Sequence, residues 1–458
     1  MRLSADTQDR LPRAVEKPGY DRQAQRTGIV HLGIGAFHRA HQAVYTDGAM
    51  TAGDCDWAIT GVSLRSPSVR DALAPQDGLY TVTEGGAGEA RIRLIGSVRD
   101  VLVAPEQPER VSACLAAPDT KLVTITVTEK GYHLRPDGTL DDAAATDAGD
   151  TIYTLLAAAL EQRRAAGLPG LTLVPCDNLP GNGRLLADAL GSWLDRKDPA
   201  LRAWFDAECA CASTMVDRIV PAASDEALAA TSAAIGLYDA AALTTEPFRQ
   251  WVIEDRFAGP RPRWDLVGAQ FVADVTPFET AKLRMLNGAH SALAYLGLAA
   301  GCRFVDEAIA QPAIRSLVEM LMREAAATID TAPGQDLAAY GDALLVRFAN
   351  PALKHRLSQI ATDGSVKIGP RWLEPLAINR ARGRPSPATL RALAAWLRHV
   401  RGDAHPVDDP KAAVLQQLWR DAGPDGICDA VFGARGLMPA PEALVASDVE
   451  DVTAQVIG

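Results

Sequence analysis

The chain has 458 residues, enough for two to four domains at about 100–200 residues each. Hydrophobic residues make up 48% and charged residues 22%, a globular balance that argues against a disordered, collagen-like or coiled-coil chain. The 46 Lys and Arg stand against 57 Asp and Glu, a net charge of −11, which disfavours nucleic acid as the main partner but leaves room for a local basic pocket that takes a small anion. No apolar run approaches the ~20 residues that span a bilayer. The polar start MRLSADTQDRLPRAVEKPGYDRQ has no apolar segment of the kind that begins a signal peptide, so a cytoplasmic protein is expected. The 7 cysteines are odd in number and scattered, as reduced thiols are. Cys209 and Cys211 form C-x-C, but no further Cys or His follows at short spacing, and no metal is expected.

In chain order, 28–33 reads as a strand, 38–50 as a helix, 57–64 as a second strand and 121–128 as a third, rich in Val, Ile and Thr. A long helix over 151–166 and a short strand over 171–175 follow. This alternation predicts parallel β-α units in a doubly wound sheet. From Phe278 onward the pattern turns helical, over 278–298, 313–328, 337–348, 388–400 and 411–421, and strand signals nearly vanish. The expected fold class is therefore α/β: a Rossmann-type domain over 1–277, then a mainly α-helical domain over 278–458.

The stretch IVHLGIGAFHRAHQ places Gly33-x-Gly35 between a strand and a helix. A tight turn there lets backbone approach a pyrophosphate at a helix N-terminus. The third glycine of the usual fingerprint is replaced by His38. An ordinary strand-to-helix turn is the plainer reading, but the strand-first context favours dinucleotide binding. After the second strand the chain runs Ser63, Leu64, Arg65, Ser66, with no acid before Asp71. Arg65 is compatible with a 2′-phosphate, with stacking on adenine, or with plain solvation, so the choice between NAD and NADP stays open.

In FVADVTPFETAKLRMLNGAHSALAYLG, the residues Lys282, Asn287 and His290 form K-x4-N-x2-H on one apolar helix. At about 100° per residue, His290 lies about 80° and Asn287 about 140° round from Lys282, so all three share only a wide cleft. A lysine in apolar surroundings loses preference for its charged form, which would suit a general acid/base. A snorkelling lysine and a satisfied core histidine are the bland alternative, although three polar residues on an apolar helix each need a buried partner. Glu279 could relay protons to Lys282 or simply complement the helix dipole. VPCDNLPGNG places Asp177 and Asn178 just after a strand, where ligands collect in open sheets, and TMVDRIVP places Asp217 beside Arg218. Turn chemistry and a structural ion pair explain these equally well. The Tyr-x-x-x-Lys signature, the zinc alcohol dehydrogenase cysteine pattern and the P-loop are all missing.

The segments IVHLGIGAFHRAHQAVYTD, TVTEKGY, CDNLPGNG, MVDRIVP, EPFRQWVIEDRF and KLRMLNGAH occur in this order. Over roughly 27–400 the chain resembles the polyol-specific long-chain dehydrogenase/reductase (mannitol dehydrogenase) family, which includes mannitol 2-dehydrogenase and fructuronate reductase. The resemblance implies metal-independent hydride transfer between NAD(P)H and the carbonyl of an open-chain sugar. It places the catalytic lysine on Lys282, carbonyl-polarising amides on Asn178 and Asn287, and substrate contacts on His290 and Asp217. The expected cofactor-binding set is Gly33, Ile34, Gly35, Ala36, Phe37, His38, Arg39 and Arg65, with Thr128 and Glu129.

GIGAFHRAHQ and FVADVTPFETAKLRMLNGAH look closer to fructuronate reductases, while CDNLPGNG also fits mannitol dehydrogenases. In ANPALKHRLSQIATDGSVK, His355 and Arg356 stand where polyol members tend to carry Asp-Thr, and Val366 and Lys367 where they carry Asn-Arg. Positive charge at His355, Arg356 and Lys367 would suit a uronate carboxylate; a solvated helix face is the alternative. The reading is an NAD-dependent reductase of a keto-uronate, with NADP not excluded. A dehydrogenase of neutral polyols is the nearest rival, and a catalytically silent dinucleotide-binding regulator a rival of another class. A monomer or weak homodimer is expected, without nucleic-acid or membrane partners.

Overall fold

A computed structural model describes residues 1–86, 90–149, 151–440 and 442–457. The chain divides into two compact units, Met1–Thr276 and Pro277–Gly458.

The first unit contains twelve strands among its described residues: β1 (Thr27–Leu32), β2 (Ala58–Ser63), β3 (Tyr80–Glu84), β4 (Arg91–Ile95), β5 (Val98–Val103), β6 (Leu122–Ile125), β7 (Thr172–Pro175), β8 (Ala210–Cys211), β9 (Thr214–Asp217), β10 (Leu243–Thr245), β11 (Gln250–Glu254) and β12 (Gln270–Val272). Six form a parallel sheet in the order β5-β2-β1-β6-β7-β8. The order reverses at β1 and β6, where His31 pairs with Gly61 on one side and Thr124 on the other. Such a reversal opens a crevice at the carboxyl ends of the strands. The central strands are apolar runs because both faces are covered. Val30, Leu32, Val123 and Ile125 pack with Leu156 and Leu190 in one core, and Ile29, Ile59 and Val174 pack with Tyr45, Trp251 and Trp264 in another. Two small sheets, β10-β3-β4 and β12-β11-β9, complete the unit and were not legible from the alternation pattern.

The helix expected over 38–50 is two helices, Ala36–Ala40 and Gln42–Thr51. His41 breaks it, with φ −124° and ψ −85°. Its Nε2 lies 2.9 Å from the Gln250 carbonyl and its ring stacks on Phe37, contacts that override local helical preference. The strand expected over 121–128 stops at Ile125, because the backbone N–H groups of Val127 and Thr128 turn to the Asp177 carboxylate.

The described residues of the second unit are helical, with a single isolated bridge between Phe304 and Arg356. The helix Gly288–Ala299 lies at its centre. Its Ala289, Ala292 and Leu293 share a core with Leu317, Val318 and Leu321 of Pro312–Ala326 and with Leu393 and Trp396 of Pro387–His399. The helix Ala412–Phe432 breaks at Gly423, where φ is 62° ahead of Pro424. The helix expected over 278–298 is α from Thr276–Ala281, π over Lys282–Asn287, and α again from Gly288.

Candidate active site

The first unit carries a groove of about 590 Å³ lined by Gly33, Gly35, Ala36, Phe37, Thr126, Thr128, Glu129, Lys130, Cys176, Asp177 and Asn178. It lies at the carboxyl ends of β1, β6 and β7. Gly33 has φ +94°, and a Cβ there would sit 1.9 Å from the Thr126 carbonyl oxygen, so only glycine fits. A Cβ on Gly35 would meet nothing nearer than the Gly33 carbonyl at 3.8 Å, so the space above this position stays open to a ligand. The bare backbone beside open volume fits the pyrophosphate and nicotinamide portions of a dinucleotide.

Asp177 ties this groove together. Its carboxylate accepts from Val127 N–H at 3.0 Å, Thr128 N–H at 2.9 Å and the Tyr132 hydroxyl at 2.8 Å. Thr128 is held at φ 65° and ψ 162°, which a β-branched residue adopts only under constraint. Burial pushes the Asp177 carboxyl up, and the donors oppose it. Asp177 therefore shapes the loop of Thr128, Glu129 and Lys130.

Below the glycine turn lies a layer of imidazoles. His31 Nδ1 is 2.8 Å from the Thr124 hydroxyl, and Nε2 is 3.2 Å from the Gly33 carbonyl and 2.9 Å from the Thr126 hydroxyl. A carbonyl only accepts, so the hydrogen is assigned to Nε2. The His38 ring stacks on His31 with centroids 3.3 Å apart. Burial pushes His31 down to about 3 and His38 well below the usual histidine range, so both are neutral.

Of the expected cofactor residues, Gly33, Gly35, Ala36, Phe37, Thr128 and Glu129 line the groove. Ile34, His38 and Arg39 do not. Ile34 is buried against Gly61, His38 is turned in onto His31, and Arg39 donates to the Ala241 carbonyl at 2.8 Å with its guanidinium over Tyr80. The missing third glycine is thus a core position. Arg65 is exposed beyond the end of β2, outside the groove lining. Thr126, Lys130 and Cys176 also line it; their position just after β6 and β7 was the available signal. Asn178 is exposed at the lining, and Asp217 is buried at the end of β9. Arg218 is structural: it donates to Glu84 at 2.6 Å and to the Ala40 and Glu246 carbonyls.

In the second unit, Lys282 and Asn287 open and close the π-helix, and His290 follows on the central helix. The Gly288 N–H reaches back to the Leu283 carbonyl, the i→i+5 bond of a π-turn. Wider turns rotate less per residue, which brings Asn287 closer to the face of Lys282 than the α-helical angle predicted. Lys282 and Asn287 are half-buried and His290 is buried. The His290 ring lies 4.8 Å from Phe348 and 5.4 Å from His355. Burial, then the neighbouring His355, Arg347 and Arg371, push His290 well below the usual histidine range. His355 is lowered by burial too.

The chain thus brings His355 to His290, but does not place Arg356 and Lys367 in that contact. Arg356 is exposed, with its guanidinium 5.9 Å from the Phe304 ring centre. Lys367 gives its ammonium to the Thr362 carbonyl at 2.6 Å. Glu279 lies on the helix Thr276–Ala281, one turn before Lys282. Two donors escaped sequence reasoning: Arg371, to the Ser291 hydroxyl at 2.7 Å and the Asn287 carbonyl at 3.2 Å, and Trp372, to the Gly288 carbonyl at 3.2 Å. Their separation of some 80 residues from these partners left no local signal. Among the described residues, no group of three or more His, Cys, Asp or Glu is placed to hold a metal ion, and no helix is long and apolar enough to cross a membrane.

The parallel sheet, its switch-point groove and the helical second unit define a Rossmann-type oxidoreductase. Residues 27–266 match the mannitol dehydrogenase Rossmann domain, and 274–427 the mannitol dehydrogenase C-terminal domain. The chain belongs to the mannitol dehydrogenase family. It is 41% identical to the D-mannonate oxidoreductase of Escherichia coli K12, over 88% of this chain and 87% of that protein. It is 38% identical to a mannitol 2-dehydrogenase of Pyricularia oryzae, over 92% and 88%. Among solved structures, the Pseudomonas fluorescens mannitol 2-dehydrogenase in ternary complex with NAD and D-mannitol superposes with a TM-score of 0.80 at 34% identity, over 100% of this chain and 95% of that one. A substrate-free D-sorbitol dehydrogenase superposes with a TM-score of 0.90 at 31% identity, over 100% and 97%.

Proposed function

We propose that this chain is an NAD-dependent reductase of an open-chain keto-uronate, yielding an aldonate of the mannonate type, and that it runs in reverse as an aldonate dehydrogenase. The observation that carries this is the grouping of Lys282, Asn287 and His290 on one π-to-α turn, with His355 against His290. The 41% identity to a D-mannonate oxidoreductase supports a sugar acid over a neutral polyol. The dinucleotide is assigned to the Gly33–Gly35 groove, where it supplies the hydride that adds to the carbonyl carbon. NADP is a second candidate, because no carboxylate follows β2 directly.

The chain's own residues hold the oxygen and move the proton. The Asn178 and Asn287 amides donate to the carbonyl oxygen as it gains charge. The Lys282 ammonium gives one proton to that oxygen and is left as the amine; in the oxidative direction the amine takes the hydroxyl proton. Buried and neutral, His290 donates or accepts at a substrate hydroxyl, and Asp217 accepts from another. Glu279 is assigned the exchange of the Lys282 proton with water. His355, Arg356 and Lys367 are assigned to the carboxylate end of the substrate; of these, only His355 touches His290.

The test is a panel of keto-uronates and neutral ketoses with NADH and with NADPH, read by absorbance. Keto-uronate turnover that exceeds ketose turnover supports the proposal; preference for neutral ketoses makes the chain a polyol dehydrogenase, and no turnover of either refutes both. Lys282→Ala is expected to lower kcat by about 10²–10⁴-fold with NADH still bound; near-normal turnover refutes the lysine assignment.

A further inference from the structure

π-turns are rare, and they concentrate at functional sites because they open the hydrogen-bond ladder of a helix. Among the described residues the second unit has two of them packed against each other: Lys282–Asn287 and Gly369–Leu373. The second sends two side-chain donors into the backbone of the first. Arg371 Nη1 donates to the Asn287 carbonyl at 3.2 Å and to the Ser291 hydroxyl at 2.7 Å, and Trp372 Nε1 donates to the Gly288 carbonyl at 3.2 Å. All three acceptors lie where π gives way to α. Trp372 is 1% exposed, so its N–H has no recourse to water. Arg371 is half-buried and makes no ion pair among the described residues. A sequestered cation without a counter-ion is costly, and here it is engaged by a backbone oxygen and a hydroxyl. On the same turn Arg284 donates to the Thr328 carbonyl and hydroxyl at 3.1 Å each.

We propose that Arg371 and Trp372 are positioning residues for the reaction: the second π-turn clamps the first and sets the register that presents Lys282, Asn287 and His290. This rests on the catalytic assignment above. Neither residue touches substrate in this scheme. They act through the Asn287 and Gly288 backbone, where a displacement of about 1 Å is enough to cost on the order of 100-fold in rate.

The experiment compares the intact chain with its R371M, R371K and W372F variants. It reads kcat and KM for the carbonyl substrate, the pH profile of kcat, and hydrogen–deuterium exchange across 282–299. R371M is expected to lower kcat about 10–100-fold and to shift the alkaline limb of the pH profile, with KM for NADH within about twofold. Exchange should rise locally in 282–291 and stay unchanged in Pro312–Ala326. R371K should recover part of kcat, and W372F should show a smaller loss with the same local exchange. Unchanged kcat with unchanged exchange overturns the proposal. So does exchange that rises evenly over the helical unit, which marks a merely structural role. If the unaltered chain reduces neither keto-uronates nor ketoses, the catalytic assignment fails, while the exchange pattern still reads whether the clamp exists.

Discussion

Acid should loosen the nucleotide-binding unit from beneath its glycine turn. His31 is fully buried, its nitrogens face Thr124, Thr126 and the Gly33 carbonyl, and its pKa is pushed down to about 3. An unfolded histidine titrates near 6.5. Between these values the unfolded chain binds a proton that the folded chain refuses, so stability is full above about pH 6.5 and falls as pH drops toward the folded value. From pH 7 to pH 5 the loss from His31 alone is about 2 kcal/mol. His38, stacked at 3.3 Å and lowered in the same direction, adds to it in the same sense. The perturbation is His38→Phe, which keeps a ring in the stack and removes one titrating group. Urea unfolding between pH 5 and 7, followed by fluorescence of the first unit's tryptophans, should show a steep loss in the unaltered chain and a shallower one in the variant. A pH-independent midpoint, or identical slopes in both proteins, would refute the reasoning.

Three further outcomes are expected. Gly33→Ala places a Cβ 1.9 Å from the Thr126 oxygen at a φ of +94°, so NADH binding should be lost or the unit should unfold; ordinary titration of NADH fluorescence would contradict the turn geometry. Asp177→Asn keeps the size but removes the charge that holds Val127, Thr128 and Tyr132, with an expected loss of about 2–3 kcal/mol and weaker NADH binding, read by thermal melts and titration. An unchanged melt would mean Thr128 keeps its conformation without the clamp. Arg218→Met leaves the buried Glu84 carboxylate only the more distant Arg249 at 3.9 Å and strips two carbonyls of their donor, and should cost about 3 kcal/mol in the same melts.

Much of this was written locally. The alternation of apolar strands and helices announced a parallel sheet, and Gly33-x-Gly35 between a strand and a helix marked the groove, because turn geometry and backbone exposure are short-range demands. The helical second half followed from periodicity alone. The small sheets β10-β3-β4 and β12-β11-β9 were hidden, since their strands are only three to five residues long and some pair with partners far along the chain, as β10 does with β3.

The fate of side chains within the motifs belonged to the tertiary structure. Sequence named His38 and Arg39 as part of the nucleotide loop, but packing on His31 and hydrogen bonding to Ala241 took both into the core. Sequence also placed Lys282, Asn287 and His290 on one helix around a wide cleft, and an α-helical count spread their angles too far. A π-turn is a costly local conformation that no propensity selects. It is held here by donors such as Arg371 and Trp372, which reach it only once the chain has folded.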